Sequence, residues 1–163
     1  MYRRCKWAVI ASALCVLFCA ATVSAQVLQI TDATGHTTSL TPEQVAKLPH
    51  VTVNTKDHDT PAQFEGVRVS QVLSAAGILI GDALRGPALQ QAVLVEAPDG
   101  YKVVFALAEF DPAFSSRQII LADKRGGRPL GAKEGPFRIV APGDQRPARW
   151  VRQVASMKIV AVN

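Results

Sequence analysis

Two short runs of alternating or β-branched residues, 27–30 and 36–40, flank Asp32-Ala33-Thr34-Gly35, the pattern of a hairpin. Thr41-Pro42-Glu43-Gln44 then signals a helix start, with Pro at the first helical position and Thr and Gln at capping-box spacing; Pro49 ends that helix near Leu48. Apolar and polar positions alternate over 51–55, predicting a half-buried strand. Residues 56–62 are polar and aperiodic, predicting an exposed loop. Val69, Val72, Leu73 and Ala76 recur at helical spacing, and Gly77 is placed to stop that helix. The clearest hairpin pairs 92–97 with 101–105 across Pro98-Asp99-Gly100. Beyond it the pattern predicts a helical turn at 107–110, a buried strand at 118–122, a glycine turn at 124–129, strands at 137–140 and 154–162, and a helical turn at 147–151. Short strands with few helices predict one α+β domain, mostly β, over 26–163.

Composition changes this picture first at the N-terminus. The chain has 163 residues, 48% of them hydrophobic and 19% charged, which fits one folded domain. Arg3, Arg4 and Lys6 precede an apolar stretch interrupted only by Ser12, and Val23-Ser24-Ala25 offers small residues for cleavage. This predicts a signal peptide over 1–25 and an exported, periplasmic mature chain. Residues 7–21 fall short of the roughly 20 that span a bilayer, so a permanent anchor is disfavoured. Cys5, Cys15 and Cys19 all lie in the leader, leaving the mature chain without a disulfide, a thiolate ligand or a cysteine nucleophile.

Charge is then unevenly spread. Residues 26–116 carry five basic and ten acidic side chains, whereas 117–163 carry ten basic and three acidic ones. The C-terminal third is an anion-binding candidate or a solvated basic surface. Nucleic acid is excluded as a partner by the export signal and the lack of interleaved aromatics. His36, His50 and His58 lack the spacing of a zinc site and read as polar loop residues. Glu109 and Asp111 form a candidate carboxylate pair or a solvated helix start, and no Gly-x-Ser-x-Gly elbow is present. The richest segment is 135–151, where a strand enters a Pro-Gly turn and Arg146, Arg149 and Trp150 follow at spacings that let them converge. Guanidinium groups and an indole suit a flat polar heterocycle. The alternative is that Trp150 caps the core and the arginines are solvated.

The chain resembles the molybdopterin-binding domain of the sulfite oxidase family. The resemblance rests on Phe64-Glu65-Gly66-Val67, Val72-Leu73, Ala76-Gly77, Asp99-Gly100-Tyr101, Ile120-Leu121-Ala122, Gly127, Leu130, Gly135-Pro136-Phe137-Arg138-Ile139-Val140-Ala141-Pro142-Gly143-Asp144 and Arg149-Trp150-Val151, in that order. It implies a mixed α+β fold and molybdenum held by a pterin dithiolene and one protein cysteine. The family's cysteine falls near Asn54 and Thr55, neither of which is a thiolate, so no molybdenum is expected here. What the resemblance implies instead is an exported, non-catalytic module for a pterin or molybdopterin-like ligand, with Arg138, Arg146 and Arg149 on acceptor atoms. Trp150 would stack, Asp111 or Asp144 would accept from an amino-pyrimidine edge, and a membrane signalling or redox subunit would be the partner. The rival readings are a small molybdopterin-dependent oxidoreductase with Asn54 or Thr55 nearest the metal, and an interaction domain with no ligand.

Overall fold

The computed structural model describes residues 26–161; the export signal predicted for 1–25 lies outside them. Strands β1 (Leu28–Thr31) and β2 (Thr37–Leu40) form the first hairpin. Its turn is tied by the Asp32 carboxylate, which accepts hydrogen bonds from the backbone N–H of Thr34 and His36. Helix α1 (Pro42–Ala46) starts where Thr41 and Gln44 close the expected capping box. Next come β3 (His50–Asp57), β4 (Thr60–Arg68) and α2 (Val69–Ala75). Gly77 ends α2 with a φ of +84°, a conformation that other residues adopt only under strain. The central hairpin is β5 (Gln91–Glu96) and β6 (Lys102–Ala106). The chain then forms β7 (Ile120–Arg125), β8 (Arg128–Pro129), β9 (Arg138–Val140) and β10 (Ser156–Ala161). Single 3-10 turns at Leu107–Phe110 and Pro147–Arg149 match the two helical turns expected there.

Residues 56–62 are not a loop. They are the tip of the β3–β4 hairpin, paired through Asp57↔Thr60, with His58 and Asp59 at φ of 49° and 67° as the two turn residues. The polar run hid this because β3 is an edge strand, whose outward side chains face water whatever the strand does.

The strands form two sheets. One has the order β2-β1-β10-β5-β6, with β1 and β10 parallel and the other pairs antiparallel; the second has the order β3-β4-β7-β8, with β9 also paired to β7. One buried cluster draws Ile30, Val93 and Met157 from the first sheet, Phe64, Leu121 and Ile139 from the second, and Leu73 from α2. The fold is thus α+β and mostly strand, as the sequence pattern predicts. Gly66 shows how tightly β4 lies on β7: a Cβ there would overlap the Leu121 carbonyl and the Ala122 Cα, so no larger residue fits without moving a strand.

Candidate functional site

A cleft of about 820 Å³ opens between the tip of the β3–β4 hairpin and the segment that follows β9. Thr55, Lys56, His58 and Asp59 line it from the hairpin; Asp144, Gln145, Arg146, Pro147 and Ala148 line it from the other side. Three of the residues nominated from sequence therefore meet here: Thr55, Asp144 and Arg146. Asn54 does not join them. On the pleated edge strand it lines a separate hollow of about 550 Å³ with Arg117 and Gly143, and its Oδ1 accepts a hydrogen bond from Gln63 Nε2 at 3.1 Å.

Three other nominated residues are placed inside the protein, which corrects their assignment to the ligand. Arg138 is 1% exposed, and Nη1 donates to Asp57 Oδ2 at 3.0 Å and to Glu134 Oε1 at 2.6 Å while Nη2 donates to Asp57 Oδ1 at 3.2 Å. Its guanidinium also lies 5.2 Å from the Phe64 ring centroid and 5.4 Å from that of Trp150. Trp150 is 3% exposed, meets Phe64 edge to face at 6.0 Å and donates from Nε1 to the Ala141 carbonyl at 3.0 Å. With 3% of its surface exposed the indole is a packing group, which agrees with the core-cap alternative for Trp150. Asp111 is 1% exposed and fastens two turns, Oδ2 accepting from Gly81 N at 2.5 Å and Oδ1 from Ala113 N at 2.8 Å.

Arg149 plays a different part from the one expected. Its Nε and Nη2 donate to Asp144 at 3.0 and 2.7 Å, Nη1 donates to Glu109 Oε2 at 3.2 Å, and the guanidinium stacks over Phe105 at 4.7 Å. The Asp144 hydrogen bond, helped by Glu109 and opposed by burial, holds the Arg149 pKa above its ordinary value. Arg117 adds a second cation 3.6 Å from Asp144 and 3.7 Å from Glu109. Glu109 is therefore an anchor of the cleft wall and is not paired with Asp111.

This pairing sets the electrostatics of the cleft. The Asp144 charge is neutralised from behind by Arg149, whereas Lys56 and Arg146 have no carboxylate partner among the described residues. His58 stands 3.9 Å from Asp57, but that carboxylate is already shared by Arg138 and Arg125. Burial alone would raise the Asp57 pKa; the Arg138 hydrogen bond and the charges of Arg138 and Arg125 outweigh it and hold the carboxyl below the usual range. Lys56 and His58 were not nominated from sequence. Reading 56–62 as a hairpin tip opposite the 135–151 segment would have brought them in.

His50 also departs from the loop reading: it begins β3 half-buried, with Nδ1 2.8 Å from the Leu48 carbonyl and Nε2 3.0 Å from Asp123 Oδ2. Among the described residues no three His, Cys, Asp or Glu side chains are grouped to hold a metal. No described helix is long and apolar enough to cross a membrane.

No protein-family model matches the chain. No curated protein matches it either. Among solved structures it is similar in fold to the sulfane dehydrogenase SoxCD from Paracoccus pantotrophus, with a TM-score of 0.66 and 17% sequence identity. The match covers 85% of this chain and 39% of that one, so the chain spans well under half of its neighbour's length.

Proposed function

We propose that the chain is an exported, non-catalytic binding module that holds a small planar ligand of pterin type in the cleft between the β3–β4 hairpin and residues 144–148. The observation that carries this is the pairing of charges in the cleft: of its two lining carboxylates Asp144 is tied to Arg149 and Asp59 stands exposed at the hairpin turn, while Lys56 and Arg146 line it without a carboxylate partner among the described residues. Such donors suit the carbonyl and ring-nitrogen acceptors along the edge of a pterin, and Thr55 and Gln145 add neutral hydrogen-bonding groups. With Trp150 enclosed, no Phe, Tyr or Trp is among the residues lining the cleft, so recognition runs through the ring edge, with the His58 imidazole as the ring beside it. The fold likeness to a dehydrogenase and the resemblance to the sulfite oxidase family support the ligand class.

Molybdenum in that family's manner does not fit these residues. Every cysteine of the chain lies in 1–25, outside the described residues, and of the two positions nearest the expected ligand Asn54 is already bonded to Gln63. A sensing or redox partner in the membrane is part of the proposal. Calorimetric titration of residues 26–163 with 6-methylpterin tests the reading. Saturable binding is expected, and Arg146→Ala and Lys56→Ala should each weaken it by about 1–3 kcal/mol, the range for a lost charged hydrogen bond. Absence of saturable heat across oxidised and reduced pterins would overturn the proposal.

A further inference from the structure

A second cleft, about 330 Å³, lies on the far side of Pro147 and Ala148, which wall both hollows. The 3-10 turn at Pro147–Arg149 is thus a ridge with a hollow on each flank. The second hollow is lined by Tyr101, Lys133 and Arg152, and also by Asp99 and Gln153. Its neutral groups are committed: the Tyr101 hydroxyl donates to the Ala148 carbonyl at 2.5 Å and Gln153 Nε2 donates to the Ala132 carbonyl at 2.6 Å; the Asp99 carboxylate accepts from Tyr101 N through Oδ1 at 2.9 Å. Lys133 and Arg152 have no carboxylate partner among the described residues, in contrast to the neighbouring Arg125, Arg138 and Arg149.

We infer that this second cleft receives a carboxylate carried on a tail of the ligand whose planar head occupies the first cleft. The inference rests on the pterin reading of the first cleft and extends it to the ligand as a whole: a flat heterocycle in the larger hollow, a chain crossing the Pro147–Ala148 ridge, and an acid beyond it. Arg152 offers the planar fork that matches a carboxylate, and Lys133 a second donor. The free Oδ2 of Asp99 in the same lining repels a doubly charged group, which favours a carboxylate over a phosphate.

The test compares four probes on residues 26–163: 6-methylpterin, folic acid, 4-aminobenzoyl-glutamate and hydroxymethylpterin phosphate. Folic acid is expected to bind about tenfold or more tightly than 6-methylpterin, the change that one charged hydrogen bond supplies. In Lys133→Ala/Arg152→Ala that ratio should fall towards one, with the melting temperature held because both side chains are exposed. A ratio near one in the unaltered protein, or one that survives the double substitution, overturns the tail subsite while leaving the pterin reading standing. If 6-methylpterin does not bind, the pterin reading falls by itself; 4-aminobenzoyl-glutamate binding that depends on Lys133 and Arg152 then still supports the second cleft, and its failure to bind overturns it. Tighter binding of hydroxymethylpterin phosphate than of folic acid would overturn the choice of carboxylate.

Discussion

Trp150 and Arg138 show how much a single side chain's surroundings decide. Each belongs to a residue type that recognises ligands well, yet each is enclosed and held by its neighbours. Trp150→Ala should therefore cost about 3–5 kcal/mol of stability, measured by urea unfolding followed by circular dichroism. A loss under about 1 kcal/mol would mean that the indole is not a packing residue. Arg138→Ala should cost about 3 kcal/mol, because it leaves the buried Asp57 carboxylate with Arg125 alone, and adding Asp57→Ala should recover part of the loss. Asp57 also sets a pH dependence. Its folded pKa lies below the unfolded value near 4, so its contribution is present above that value and is lost as pH falls through the folded one. Unfolding free energy measured from pH 5 to pH 2 should fall less steeply in Asp57→Asn, and an unchanged slope would remove Asp57 as a source of acid sensitivity.

At the scale of elements, most boundaries were legible because each carried its own local signal. Thr41, Pro42 and Gln44 mark the start of α1, Gly77 ends α2, and Pro98-Asp99-Gly100 joins β5 to β6. The β3–β4 turn was not legible, since His58-Asp59 carries neither glycine nor asparagine at two positions that need positive φ. Replacing that pair with Asn-Gly should raise stability by roughly 1 kcal/mol, visible as a higher melting temperature, while loss of His58 from the cleft weakens pterin binding. A lower melting temperature would show that the two side chains do more than close the turn. Thr41→Ala gives a second check on local coding: losing the cap should cost about 1 kcal/mol in the same assay.

For the molecule as a whole, the order of strands matters more than any one of them. The cleft was only partly legible because it joins residues 55–59 to residues 144–148, and no local pattern reports that meeting; Thr55 and Asp144 were found through the resemblance, Arg146 through its spacing in 135–151, and Lys56 and His58 through the fold. The first sheet depends on β10, which lies between β1 and β5 and hydrogen-bonds to both. A chain ended at Ala155 should lose its cooperative thermal transition, because the remainder of that sheet is two separate two-stranded pairs. A sharp transition in that truncated chain would refute the central role of β10. The same arrangement has a consequence for biosynthesis. As the chain emerges from the ribosome, β1 waits beside β2 alone until β10 has been made, so the first sheet closes only after β3 to β9 have been synthesised. Until then that sheet stays incomplete, its strand order acting as a timer that delays folding.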